Sequence, residues 1–128
     1  MRIVVCAGNG QEWVSQLTAL GHTVTRHPIG TLIAPTAADV CWVVTPTVAG
    51  LAAQRFWLMS ITIPLVVITP VLDQAQTLCR SVAALHLICH PQRATDDLAN
   101  ILLMARDIHA GIVLLASGST HMGDTYGA

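Results

Sequence analysis

The sequence predicts a doubly wound α/β domain whose sheet contains five parallel strands. Short runs rich in β-branched residues alternate with segments of helical period and with turn residues, which is typical of repeated βα units. The run over residues 40–44 is continuously apolar, as a central strand is when helices cover both faces of its sheet. We therefore expect a three-layer αβα arrangement with strand order 2-1-3-4-5. Its functional crevice should lie where the winding reverses, at the carboxyl ends of strands 1 and 3.

The first half of the chain supplies three strands and two helices. The predicted strands are residues 2–6, 22–26 and 40–44. A helix over residues 11–20 follows the first strand, because Trp13, Leu17 and Leu20 form one apolar stripe and a glycine then ends it. A second helix is expected over residues 31–38, where a proline interrupts the pattern.

The second half supplies two strands and three helices. The predicted strands are residues 65–69 and 86–89, and two helices cover residues 48–59 and 73–83. The last helix starts after Pro91, with Thr95 as its expected N-cap and two acidic residues at the positive end of its dipole. Its apolar stripe consists of Leu98, Ile101, Leu102 and Ala105. Residues 1–110 are thus predicted as one domain, and residues 111–128 as a C-terminal extension or linker.

The composition excludes several classes of function. Of the 128 residues only 10% are charged and 53% are hydrophobic, and six arginines against seven acids give a net charge of -1. This balance offers no electrostatic footprint for nucleic acid or for an anionic membrane. Apolar runs such as residues 63–68 fall far short of the roughly 20 residues that span a bilayer. Because the first residues also lack the apolar stretch of a signal peptide, we expect a cytoplasmic protein.

No metal ion or other cofactor is expected. The four cysteines form no C-x-x-C pair and stand among apolar neighbours, as reduced core thiols do. In strand order 2-1-3-4-5, Cys6 and Cys89 lie three strand spacings apart, about 14 Å. Two thiolates that bind one ion must both lie about 2.3 Å from it, so these two cannot share a metal.

Three strand segments resemble the receiver domain of bacterial response regulators. Residues 65–69 resemble its fourth strand, which ends in a hydroxyl residue, and residues 83–91 resemble its fifth strand, which ends in Lys-Pro. Residues 39–44 resemble its third strand. The order and lengths of the units over residues 1–107 match as well. The resemblance implies a flavodoxin-like, receiver-like fold.

The residues that carry out a receiver's chemistry are replaced in this chain. A working receiver phosphorylates an Asp after strand 3, holds Mg²⁺ with an acidic pair after strand 1 and neutralises the phosphate with a Lys after strand 5. The matching positions are Ala7 and Gly8 for the pair, Val44 or, after a slip of one residue, Thr45 for the acceptor, Thr69 for the hydroxyl and His90 for the Lys. Mg²⁺ needs hard oxygen ligands and a transferring phosphoryl group needs cations. The resemblance therefore implies a non-enzymatic pseudo-receiver, a phosphorylation-independent interaction and dimerisation domain of a signalling or transcriptional regulator.

Two other chemistries stay open at the turn after the first strand. Residues 7–10, Ala-Gly-Asn-Gly, suit a Rossmann-like nucleotide-binding turn at a helix N-terminus. Against it, Trp13 stands where the third glycine of that motif belongs, and Arg26 and His27 end strand 2 without an acid for a ribose. Cys6 resembles the phosphocysteine of phosphotransferase-system IIB sugar carriers, since a helix N-terminus lowers the pKa of a thiol and binds phosphate.

Large apolar residues beyond the core stripes predict an interaction surface. These residues are Phe56, Trp57, Met59, Leu103 and Met104. If the helix stripes are assigned correctly, their side chains face solvent, and the alternative is that these large side chains fill the core. Exposed, they predict protein partners, first of all a homodimer formed through the predicted fourth and fifth helices.

Overall fold

The fold is a single parallel sheet with helices on both faces. The computed structural model describes residues 1–8, 10–45, 48–82, 84, 86–114 and 124–126. The strands are β1 (Arg2–Cys6), β2 (Thr23–His27), β3 (Val40–Val44), β4 (Leu65–Ile68), β5 (His86–Cys89) and β6 (Asp124–Tyr126). Their order is β2-β1-β3-β4-β5-β6 and every neighbouring pair is parallel. This confirms the predicted flavodoxin-like order 2-1-3-4-5, and β6 extends the sheet beyond β5.

Four parts of the sequence predictions fall outside the described residues. They are Asn9 in the glycine-rich turn, Ala83 and Leu85 before β5, residues 115–123, and residues 127–128.

Six helices are described, two of which continue a predicted helix after a break. They are α1 (Gln11–Ala19), α2 (Val48–Ala53), α3 (Arg55–Ser60), α4 (Leu72–Cys79), α5 (Pro91–Asp96) and α6 (Leu98–Leu114). The predicted helix over residues 48–59 is divided at Gln54, and the predicted last helix is divided at Asp97. Both α6, in its last four residues, and β6 lie in the segment predicted as an extension. No helix among the described ranges combines the length and the apolar character that crossing a bilayer requires.

The predicted helix over residues 31–38 is wrong, because this connection from β2 to β3 is an irregular loop. Its proline has no N–H to donate and its ring clashes with the preceding turn of a helix. The backbone is held instead by partners that a helix would not use. The Nε1 atom of Trp57 donates to the carbonyl oxygen of Thr31 at 2.7 Å, and the guanidinium of Arg2 donates to that of Thr36 at 3.0 Å.

Alternate residues along the strands divide the core into two layers. Val5 and Trp42 face the layer that contains α1 and α6, where the rings of Trp13 and Trp42 lie 5.7 Å apart between centroids. Cys6 and Cys41 face the opposite layer, which contains α3 and α4. Neighbouring residues of a strand, such as Val5 and Cys6, therefore face opposite sides of the sheet.

Candidate functional site

The positions that the sequence singled out lie at the carboxyl edge of the sheet. By this edge we mean the last residue of each strand and the one or two residues that follow it. Register pairs Cys6 of β1 with Val43 of β3, and that strand's Val44 with Ile68 of β4. The sheet's hydrogen bonding continues past the strand ends, since the amide of Thr45 donates to the carbonyl of Ile68 at 3.0 Å. Ala7, Gly8, Val44, Thr45, Thr69 and His90 therefore lie along one edge. This edge includes the β1–β3 switch point, where doubly wound folds bind ligands.

The turn after β1 packs the start of α1 tightly against the strand. Ala7 is buried and Gly8 is exposed, with nothing within 4 Å of the Cβ that a side chain there would add. A Cβ on Gly10 would lie only 3.1 Å from the Cβ of Ala7 and 3.1 Å from Cγ1 of Val5. Close packing against Ala7 and Val5 therefore explains why position 10 is a glycine. Trp13, three residues further along the chain, is also a core residue.

Thr69 uses its hydroxyl for a local turn. Its side chain is fully buried, and Oγ1 accepts a hydrogen bond from the amide of Val71 at 3.3 Å. Its own amide donates to the carbonyl of Cys89 at 2.9 Å and so extends the pairing of β4 with β5. Short hydroxyl side chains often satisfy backbone groups in this way at the end of a strand. The hydroxyl at the end of β4 therefore shapes the chain that enters α4.

His90, where the resemblance to receivers would place their Lys, caps a helix. Its Nδ1 atom accepts a hydrogen bond from the amide of Gln92 at 3.1 Å, and Pro91 takes the first helical position of α5. Proline is suited to that position because it has no amide to leave unsatisfied. The prediction that Thr95 caps the helix is wrong. The helix begins four residues earlier, and Oγ1 of Thr95 donates inside it to the carbonyl of Pro91 at 3.1 Å.

Cys6 is a buried thiol on the face of the sheet opposite α1. A hydrogen bond from the thiol of Cys41 lowers the pKa of Cys6, while burial acts in the other direction, and the same contact together with burial raises the pKa of Cys41. The amides at the start of α1 lie on the other side of the sheet and cannot cradle a phosphate on this sulfur. Cys6 has no exposed surface. The geometry favours a core role.

The other cysteines also behave as core residues. Burial raises the pKa of Cys79 and of Cys89 to about 11 in each case. All four cysteines are buried and none forms a disulfide. Across the part of the chain that the structure describes, no group of three or more His, Cys, Asp or Glu side chains could hold a metal ion.

The apolar residues predicted to be exposed divide into two groups. Phe56 is 82% exposed, Met59 41% and Leu103 47%, as expected. Trp57 and Met104 are partly buried and pack against the core, which corrects the prediction for these two. Trp57 lies against the loop after β2, since its Nε1 atom donates to the carbonyl oxygen of Thr31.

Two further exposed residues were missed. Leu32 is 84% exposed on the loop after β2, and Leu20, assigned to the core stripe of the first helix, is 49% exposed. That assignment is wrong because α1 ends at Ala19 and Leu20 is its C-cap. The sequence signal for this helix end is Gly21, since a helix usually ends before a glycine in the left-handed conformation. Gly21 has φ +90°.

Some of these residues form two apolar surfaces. Phe56 and Met59 lie three residues apart on α3, and we call them the α3 patch. The second surface is a groove of about 340 Å³ between α1 and α6, which we call the α1–α6 groove. Its lining includes Leu20, His22, Ala99, Leu102, Leu103 and Arg106. By contrast, the outward residues of α4 are polar, namely Asp73, Gln74, Gln76, Thr77 and Arg80.

A second groove, of about 460 Å³, lies between α3 and α4. Arg55 and Asp73 bring charges of both signs to it, and the γ-oxygen of Thr77 is turned back to the carbonyl of Asp73 at 3.1 Å. This mixture of charges favours no one class of ligand.

Comparison with known proteins gives no relative from which a function could be transferred. No family model, no curated protein and no solved structure matches the chain. The functional argument therefore rests on the chain's own geometry.

Proposed function

We propose that this chain is a pseudo-receiver, a regulatory domain that works through protein contacts and self-association and is independent of phosphorylation. It is not an enzyme, and it belongs to a signalling or transcriptional regulator. The observation that carries the proposal is at the carboxyl edge. There, two of the positions that would perform phosphoryl chemistry, Thr69 and His90, are engaged in local structure.

The chemistry of the edge supports this role. Among the described residues that directly follow β1, β3, β4 and β5, none is Asp, Glu or Lys. Mg²⁺ takes hard oxygen ligands, usually one or two carboxylates, and a phosphoryl group in transfer is stabilised by cations. The hydroxyl of Thr69 and the imidazole of His90 each make a backbone hydrogen bond instead. An edge of this kind holds the fold together rather than turning over a substrate.

The exposed apolar surface supports a partner. Leu20, Leu32, Phe56, Met59 and Leu103 are large side chains that the monomer leaves in contact with water. Single exposed apolar residues are ordinary, but grouped ones mark interaction sites. With only 10% charged residues, the chain has little polar surface to dilute them. Self-association is the simplest way to cover such a surface.

The test is the solution mass of the full chain over a dilution series, measured by light scattering with and without a small phosphodonor and Mg²⁺. We expect a concentration-dependent dimer that does not change with the phosphodonor. The intact mass should also show no added phosphoryl group. A chain that is monomeric at every concentration, or whose mass distribution follows phosphorylation, would overturn the proposal. A phosphoryl group found on Cys6 would favour the phosphocarrier alternative.

A further inference from the structure

The two outer strands of the sheet differ in what lies beside them. Strand β5 pairs with β6 on its outer side, whereas β2 pairs with β1 alone and forms the opposite end of the sheet. We call the side of β2 that faces away from β1 the β2 edge. Thr23, Thr25 and Arg26 of this strand are exposed. An open edge of this kind presents backbone groups that can pair with a further strand.

The hydrogen bonds of β2 show which of its backbone groups face outward. The amide of Thr23 donates to the residue before β1, and the carbonyl of His27 accepts from the residue after it. Successive residues of a strand direct their backbone groups to alternate sides, so Thr25 also bonds toward β1. Val24 and Arg26 therefore direct their amides and carbonyls away from the sheet. None of the described residues forms a hydrogen bond with these outward groups.

The outward ladder of β2 is closed at both ends. Its next outward positions would be His22 and Pro28. The amide of His22 donates to the carbonyl of Leu17 at 3.4 Å, at the end of α1. Pro28 has no N–H, and its carbonyl accepts a hydrogen bond from the amide of Thr31 at 3.3 Å. Each copy of the chain therefore offers two outward residues for strand pairing, one on either side of Thr25.

This pair of outward residues is complementary to itself across a two-fold axis. Two strands related by such an axis are antiparallel, and an axis at Thr25 places Val24 of each copy opposite Arg26 of the other. Opposite residues whose groups face each other exchange two hydrogen bonds, so the two pairs would form four and satisfy every outward group. An axis at either neighbouring residue would instead set an outward residue against His22 or Pro28. The hydrogen bonding thus favours one register.

The side chains that meet in this register are compatible. Thr25 lies opposite its own copy, and paired threonines stabilise antiparallel strands. No like charges are directly opposite each other, because Arg26 faces Val24. Leu20 and Leu32, both exposed, belong to the segments that enter and leave β2. Antiparallel pairing sets the segment that enters one strand beside the segment that leaves the other.

We propose that two copies of this chain pair through their β2 edges, with the strands antiparallel and Thr25 of each copy opposite Thr25 of the other. The two sheets then form one continuous sheet across the dimer. The inference rests on the proposed function, because it names the surface through which the domain self-associates. It places the interface on a strand rather than on the helices predicted from the sequence, of which α4 has a polar outer face.

Disulfide trapping tests the register. In an antiparallel pair whose backbone groups face away from each other, the Cα atoms lie about 4.5 Å apart, within the range of about 4.4–6.8 Å for a disulfide. Thr25→Cys should therefore give a covalent dimer when diamide oxidises the two thiols, and the four native cysteines are buried. Thr23→Cys is the matched control, because the two copies of position 23 would lie four residues apart along the strands, about 13 Å. Equal trapping of the two variants would overturn the register.

Association of charged variants in solution tests the surface. Thr25→Lys places two ammonium groups opposite each other across the axis and should raise the dimer dissociation constant by about fivefold or more. An equimolar mixture of Thr25→Lys and Thr25→Asp should dimerise again, because opposite charges then meet. Thr23→Lys is the control and should change the constant by about twofold at most. Both positions are exposed, so the variants are expected to fold, which circular dichroism checks.

The outcomes separate this inference from the proposed function. If the natural chain dimerises but Thr25→Lys dimerises equally well and Thr25→Cys is not trapped, the β2 edge is not the interface and the pseudo-receiver proposal stands. If the natural chain is a monomer throughout, both proposals fail. A dimer that is trapped through Thr25→Cys, weakened by Thr25→Lys and restored by mixing the two charged variants supports both.

Discussion

The carboxyl edge and the α1–α6 groove differ in how their side chains are satisfied. At the edge, Thr69 and His90 each accept a hydrogen bond from a backbone amide, and Gly10 lets the start of α1 pack closely against β1. In the groove, Leu20 and Leu103 have large apolar surfaces that no described residue covers. The comparison teaches that polar side chains at the end of a strand can be used for local structure, while apolar side chains elsewhere stay exposed. Substitutions at the edge should therefore cost stability, and substitutions of the exposed groove residues should cost little of it.

The largest effect is expected at Gly10. Gly10→Leu would force a side chain into a space where even a Cβ lies 3.1 Å from Ala7 and Val5. Overpacking of this kind destabilises by about 1–3 kcal/mol, measured as the free energy of unfolding in urea. Gly8→Ala is the matched control, because a Cβ there meets nothing within 4 Å. Equal effects of the two substitutions would contradict the packing role of Gly10.

Thr69→Val should come next. The substitution keeps the shape of the side chain but removes the oxygen that accepts the amide of Val71. A fully buried donor left without its partner costs about 1–3 kcal/mol; the amide of Val71 is only partly buried, so the free energy of unfolding should fall by about 1 kcal/mol. Thr69→Ser retains the oxygen and should lose less. If valine proves as stable as threonine, the hydroxyl has no structural role at the edge.

His90→Ala should lower the free energy of unfolding by about 1 kcal/mol, since it removes the N-cap of α5. His90→Asn keeps an acceptor at the cap position and should retain most of the stability. The measurement is again urea unfolding, with both variants compared at one pH. A result in which asparagine and alanine are equally destabilising would show that the Nδ1 bond to Gln92 contributes little.

The smallest effect on stability is expected at Leu103. Because the side chain is exposed, Leu103→Asp should change the free energy of unfolding by less than about 0.5 kcal/mol when measured at a concentration where the natural chain is monomeric. A loss as large as that of Gly10→Leu would mean that Leu103 belongs to the core. The contrast between edge and groove would then be lost.

The strand pattern was predictable because it depends on neighbouring residues. Runs such as residues 65–68 are apolar throughout, and burial on both faces of a parallel sheet requires that pattern. The position of the edge residues followed from the same strands. The hydrogen-bond partners of these edge residues could not be predicted. The cap at His90, for example, depends on an imidazole orientation that no sequence pattern reports.

The failures also have physical causes. A helix over residues 31–38 was favoured by local composition, but the loop is held by Trp57 and Arg2, which lie far away in the sequence. Short strand β6 has three residues, too few to give an alternating or continuously apolar signal. Leu20 matched the helical period although the helix had already ended. In each case the local pattern did not contain the information that decided the structure, which was a distant contact, a very short strand or the exact end of a helix.

By itself the sequence determined the class of fold, the order of its first five strands and the lack of Asp, Glu and Lys directly after β1, β3, β4 and β5. These are properties of composition and of short-range period. Only the tertiary structure decided that Cys6 faces away from α1, that Thr69 and His90 bond to the backbone, and that Leu20 and Leu103 line one groove. The physical reason is that exposure and hydrogen bonding depend on what packs against a residue, and those neighbours come from distant parts of the chain.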